Sequence, residues 1–233
     1  MHISLLKTDD NSNTLYNSQL NETYHSRHGA LAESNLVFIQ NGLNYLAQSN
    51  KQLSILEVGM GTGLNAILTY DFANQHHLQI SYHAIEAFPL TIDLIKSLNY
   101  GSFLSEASNN VFNQLHDIPW DEPFQLSSHF SMLKKPIELQ QFIPDKKYDL
   151  IYFDAFAPDK QPELWTLEQF SKLYQSLNDG GVLVTYSAKG EVKRNLREAG
   201  FSIERLAGPP PKRHVIRATK VISPNSTDHS VML

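Results

Sequence analysis

The chain has 233 residues, 41% of them apolar and 18% charged, with a formal net charge of −5. That is enough to bury a full core in one domain spanning 1–233. It contains no cysteine, which excludes disulfides and thiolate chemistry, and its ten histidines are scattered, so no metal is expected. The opening MHISLLKTDD is too short in apolar residues for a signal peptide, and no run nears the ~18–20 apolar residues of a spanning helix. A cytoplasmic protein without membrane association is the expectation.

Residues 1–50 read as an irregular and helical extension: polar, turn-rich sequence, then a helix over 30–47 with Leu31, Ser34, Val37, Phe38, Leu43 and Leu46 on one face. The core, 51–221, opens with a strand at 53–59 that runs into glycines, and a helix follows from Gly63. A second strand (80–88) and helix (90–98) come next. Residues 100–129, rich in Asn, Ser and Pro, carry no clear period. A weak strand at 129–134 precedes a strong one at 148–156, whose continuous apolar run suits burial on both faces. A helix over 162–177, a strand over 180–188, a helix over 190–200 and two closing strands (201–208, 214–222) complete the core, and 222–233 is expected to be a frayed tail. This alternation predicts an α/β fold with a doubly wound, mostly parallel sheet, whose ligands sit beyond the carboxyl ends of the strands.

Three motifs lie at those ends. The first is Glu57-Val58-Gly59-Met60-Gly61-Thr62-Gly63-Leu64-Asn65, a glycine-rich turn from strand to helix that lets a ligand approach the backbone and the helix N-terminus. Its glycines are too closely spaced for the dinucleotide fingerprint. Glu57 would repel a pyrophosphate and suits a cationic ligand such as a sulfonium or an ammonium. A tight turn with no ligand is the plain alternative. The second is Glu86, 23 residues beyond Gly63 at the end of strand two, where a carboxylate can accept hydrogen bonds from both ribose hydroxyls. The third is Asp154, closing the most apolar strand and facing the reacting centre; as an alternative it caps the next segment.

Charge is uneven. Residues 189–220 carry nine Lys/Arg against three Glu, a local surplus of six in a chain whose remainder is −11. That asymmetry fits a polyanion met on one side, or simply a solvated surface.

EVGMGTGLN, IEAFPL, FDAFAPDKQPELW and YSAKGEVKRNLREAGF followed by GPPPKRH together resemble the tRNA wobble-uridine methyltransferases, from about Tyr24 to Lys220. That family methylates the amine of 5-aminomethyl-2-thiouridine to 5-methylaminomethyl-2-thiouridine, and in some bacteria is fused to a flavin-dependent oxidase that first removes a carboxymethyl group. The resemblance implies a Rossmann-like class I methyltransferase using S-adenosyl-L-methionine, with Glu57, Gly59, Gly61, Gly63, Asn65 and Glu86 binding the cofactor. It implies that Asp154 orients the amine, Phe156 shapes the uracil pocket and Lys160 borders the entrance. Lys189, Lys193, Arg194, Lys212 and Arg213 are the expected tRNA contacts. No GxGxxG follows residue 200, so the likeness is to the stand-alone form, with a separate flavin-dependent enzyme expected upstream. The run Met132-Leu133-Lys134-Lys135-Pro136-Ile137-Glu138 lacks the acid that often binds adenine, leaving that contact unassigned. Two rival readings are a methyltransferase of small-molecule amines and a non-catalytic module that binds the cofactor or RNA.

Overall fold

The computed structural model describes residues 3–221, so the tail read as frayed, 222–233, lies outside the described residues. The polar N-terminal segment forms an antiparallel sheet of β1 (Ile3–Lys7), β2 (Asn13–Asn17) and β3 (Glu22–Thr23), with Leu5 opposite Leu15. Its residues are mostly polar because only Leu15 of that pair is driven into the core, while Leu5 stays exposed. The helix expected over 30–47 forms as α1 (Ala30–Ser34), a π-helical stretch (Asn35–Asn44) and α2 (Tyr45–Ala47).

The core then runs β4 (Gln52–Val58), α3 (Leu64–His76), β5 (Gln79–Ile85) and α4 (Ile92–Lys96). The stretch that carried no period, 100–129, holds a 3-10 turn at Tyr100–Phe103, α5 (Glu106–Asp117) and β6 (Phe124–Ser127). In α5 the buried face is narrow, Ser108, Val111, Phe112 and Leu115, and Ser105 caps its start through the Ser108 N–H. Then come β7 (Phe130–Lys135), β8 (Tyr148–Phe153), a 3-10 turn at Pro162–Leu164, α6 (Leu167–Ser176) and β9 (Leu177–Thr185). The segment ends with α7 (Gly190–Glu198), β10 (Phe201–Ala207) and β11 (His214–Lys220).

The eight core strands lie in the order β10-β11-β9-β8-β4-β5-β7-β6. The five central strands are parallel, whereas β6, β10 and β11 pair antiparallel at the two edges, so the sheet is mixed. Side chains alternate between two cores. Leu150, Tyr152, Val182 and Val184 pack under α3 and the π-helical stretch, while Ile151, Phe153 and Leu183 face α6 and α7. Helices on both faces explain why β8 is apolar at consecutive positions. The chain starts in the middle at β4, builds outward through β5 and β7, then returns to β8 on the other side. The reversal point, β4 beside β8, is where such sheets open a crevice.

Candidate active site

The floor of that crevice is the turn after β4. Gly59 N–H and Met60 N–H both donate to the Ile85 carbonyl, at 3.0 and 3.3 Å, which ties the turn to the end of β5. Gly59 has φ +86°, and a Cβ there would stand 2.6 Å from the Asp154 carbonyl oxygen, so only glycine lets β4 and β8 end this close. Gly61, at φ +49°, gives its N–H to Glu86 Oε2 at 2.8 Å, while Phe88 N–H binds Oε1 at 2.9 Å. Each carboxylate oxygen keeps a further lone-pair site, so Glu86 can still accept two hydroxyls. Burial pushes the Glu86 carboxyl up, and the two N–H donors oppose that push.

Asp154 stands at the end of β8, its N–H bound to the Val58 carbonyl at 2.9 Å. Asn65, in the first turn of α3, donates through Nδ2 to Asp154 Oδ2 at 2.8 Å and to Glu57 Oε1 at 3.0 Å. Burial pushes the Asp154 carboxyl up to about 7; Glu33 adds to the rise, and Asn65 and Lys212 offset part of it. Burial likewise holds the Glu57 carboxyl well above its ordinary range, although Tyr82 and Asn65 favour its ionised form. Glu57 and Asn65 are buried beneath the turn and do not line the crevice, and the Asn65 amide links the Glu57 and Asp154 carboxyls.

Above this floor is a cleft of about 780 Å³, within the ~300–1,000 Å³ usual for small-molecule sites. Gly59, Gly61, Glu86, Asp154 and Phe156 all line it; Gly63 sits behind, as the left-handed residue that starts α3. On the β5–β7 side its walls are Phe88, Ile137, Glu138 and Leu139. Lys134, fully buried, turns away from the cleft: its Nζ donates to the carbonyls of Leu115 and His116 at the end of α5.

Beside Phe156 and Lys212, the opposite wall comes from residues the sequence did not single out. Glu22 Oε2 accepts the Ala157 N–H at 3.2 Å, fastening β3 to the loop after β8. The Tyr24 ring meets Phe156 edge-on, centroids 5.0 Å apart, and lies against Gly61. His25 lies between Thr14 Oγ1 (3.1 Å) and the Thr62 hydroxyl (3.4 Å), and burial lowers its pKa to about 4, which keeps it neutral. Glu33 of α1, Tyr186 and Lys212 close the far end. The signal for this wall was present as YHS and the buried acid of GALAES, but neither has the glycine punctuation that marks the floor.

The basic residues separate into two groups. Lys212, expected on tRNA phosphate, is instead ion-paired with Glu33 inside the cleft, and Lys189 is paired with Asp159. Arg194 and Arg213 are exposed and Lys193 half-buried, with no ion pair among the described residues. Lys160 is half-buried on the loop after β8 and does not line the cleft. Trp165 is core: its Nε1–H binds the Phe156 carbonyl at 2.9 Å. Among the described residues no cluster of His, Asp and Glu suits a metal, and no helix is long and apolar enough to cross a membrane.

A glycine cradle with an acid at its rim, at the reversal of a doubly wound sheet, is where folds of this kind hold a nucleotide-like ligand. A family model described as S-adenosyl-L-methionine-dependent methyltransferase matches residues 102–221, and the chain belongs to that family. S-adenosyl-L-methionine is its cofactor. A tRNA 5-methylaminomethyl-2-thiouridine biosynthesis bifunctional protein of Pseudoalteromonas atlantica is 29% identical over 225 residues, covering 85% of this chain and 31% of that protein. Its namesake from Leptospira interrogans is 30% identical over 217 residues, covering 88% of this chain and 34% of that protein. The chain thus spans about a third of the length of these curated relatives. Among solved structures, MNMC2 from Aquifex aeolicus superposes with a TM-score of 0.79 at 25% identity, over 95% of this chain and 72% of that one. A spermidine synthase from Thermotoga maritima shares the fold, with a TM-score of 0.50 at 14% identity.

Proposed function

We propose that this chain N-methylates the aminomethyl group of 5-aminomethyl-2-thiouridine at the wobble position of tRNA, giving 5-methylaminomethyl-2-thiouridine. The observation that carries this reading is Asp154, recessed at the cleft floor with a pKa near 7 and faced by Tyr24 and Phe156. The likeness to relatives named for that modification supplies the substrate.

The cofactor, when bound, supplies an electrophilic methyl group. Glu86 would accept its ribose hydroxyls, Gly59 and Gly61 would give it room, and Phe88, Ile137 and Leu139 would border its adenine. An amine attacks only through its lone pair, so a substrate ammonium must first lose a proton. An ordinary Asp, with a pKa of about 3.9, is a poor acceptor for that proton. Burial brings the Asp154 pKa close to 7, where it takes the proton and its other oxygen then accepts one of the two N–H groups of the neutral amine. Tyr24 and Phe156, packed edge-on against each other, give the uracil an aromatic border. Asn65 keeps the carboxylate aimed, and Glu57 beneath it keeps Asn65 in place.

Lys193, Arg194 and Arg213 contact phosphates, and this patch is needed because the chain as a whole is negative. Such an enzyme works where tRNA is modified, in the cytoplasm, on a nucleoside from which a flavin-dependent oxidase has first removed the carboxymethyl group. The test is methyl transfer to tRNA carrying aminomethyl-uridine, read by nucleoside mass analysis. A gain of one methyl on that nucleoside is expected. Equal efficiency on the free nucleoside overturns the tRNA assignment in favour of a small-molecule amine methyltransferase.

A further inference from the structure

Lys212 belongs to the loop between β10 and β11, Glu33 to α1, and Tyr186 to the end of β9, yet the three meet inside the cleft. Lys212 Nζ is ion-paired with Glu33 Oε1 and sits 4.1 Å from the centre of the Tyr186 ring. Glu33 Oε2 accepts the Ser26 N–H at 2.8 Å, and the Tyr186 hydroxyl donates to the Ala155 carbonyl at 2.8 Å. The Glu33 side chain is only 8% exposed. A buried ion pair is a weak source of stability, because desolvation offsets most of the attraction. Its position beside the reacting centre calls for another role.

We propose that Glu33 and Lys212 are positioning residues for methyl transfer: the pair clamps the Tyr186 ring, whose hydroxyl fixes the backbone next to Asp154. The pair also brackets the charge on Asp154. The Glu33 carboxylate opposes its ionisation and the Lys212 ammonium favours it. The other groups facing Asp154 are Glu57 from β4, Asn65 from α3, Tyr82 from β5, Tyr100 and Tyr186 itself. Asn65 reaches Asp154 across 89 positions, and the pair spans 179. The inference rests on reading Asp154 as the proton acceptor.

The experiment is the pH profile of kcat for the full chain with its modified tRNA, with melting temperature and S-adenosylhomocysteine affinity measured alongside. Lys212→Met should move the acidic limb to higher pH, cutting the rate below neutrality by about three- to tenfold for a shift of half to one pH unit. Glu33→Gln should move the limb the other way, the double variant should return it towards wild type, and Lys212→Arg should preserve it. If Glu33→Gln does not fold, the half-exposed Lys212 decides the question alone. A limb unmoved in Lys212→Met, with only the melting temperature lowered, overturns the proposal. Asp154→Asn separates the two claims. A limb abolished there but insensitive to Lys212 sinks the pair alone, whereas a limb that survives Asp154→Asn overturns the Asp154 reading and the pair with it.

Discussion

The two walls of the cleft are built by opposite means. On the cofactor side, one local stretch, Glu57 to Asn65, supplies strand end, turn and helix start, and its shape follows from glycines at positive φ. On the acceptor side, Glu22, Tyr24, Glu33, Phe156, Tyr186 and Lys212 come from segments far apart in the chain and meet only when it folds. The first wall is specified by backbone sterics and the second by tertiary packing. On the proposed function, the cofactor would be held by that local turn together with Glu86 and the residues after β5 and β7, whereas acceptor choice would be a property of the assembled molecule.

Substitutions can break that division. The largest effect is expected at Asp154, where the walls join: Asp154→Ala should lower kcat by about 10²–10³-fold while S-adenosylhomocysteine affinity, measured by calorimetry, stays nearly constant. A comparable loss of cofactor affinity would mean that the two sides are not separable. Gly61→Val should do the reverse. A β-branched residue at φ +49° would stand 3.1 Å from Tyr24, and strain of ~1–3 kcal/mol corresponds to roughly ten- to a hundredfold weaker cofactor binding.

Smaller effects are expected away from that junction. Glu22→Gln weakens the fastening of β3 to Ala157, so the acceptor KM should rise severalfold with no change in cofactor affinity. Reversing Lys193 and Arg194 to Glu should raise the KM for tRNA and lower its log–log salt slope by about 0.7–0.9 per lost contact; an unchanged slope would place the RNA elsewhere.

The smallest is a stability effect with a defined sign. Because Asp154 is held near 7, against an ordinary value of 3.8, its proton is bound more tightly in the folded chain than in the unfolded one. Its contribution to stability is therefore full below pH 4 and lost as pH rises through about 7. Asp154→Asn, permanently neutral, should melt a few degrees above the wild type at pH 8, with the gap closing at pH 4.

The sheet, its winding and the floor of the site were legible because period and glycine punctuation are local signals. Strand β8 announced itself by consecutive apolar residues that only double-sided burial explains. What stayed hidden lacked such signals. The strands β1 to β3 bury so few side chains that they read as polar loop, and α5 carries its narrow face through a stretch of Asn and Ser. Glu57 and Lys212 were read as reaching a ligand and a phosphate because charge suggests exposure. Their partners in the fold, Asn65 and Glu33, lie eight and 179 positions away, which no local pattern shows.

The π-helical stretch between α1 and α2 meets the sheet through Gly42, where a Cβ would stand 3.0 Å from Val184 Cγ2 and 3.2 Å from Leu150 Cδ1. A Cβ at that position would require the two methyl groups or the helical run to give by a few tenths of an ångström. Glu33 rides on the same run, about two and a half turns upstream along an α-helical path. Where the run is what gives, a methyl group added at 42 would tilt it like a beam shimmed at one end, and the displacement would be felt by the carboxylate that holds Lys212. Such a variant could keep most of its fold and its cofactor and still lose turnover, so a defect in the deep core would pass, in any screen of activity, for a lesion of the active site.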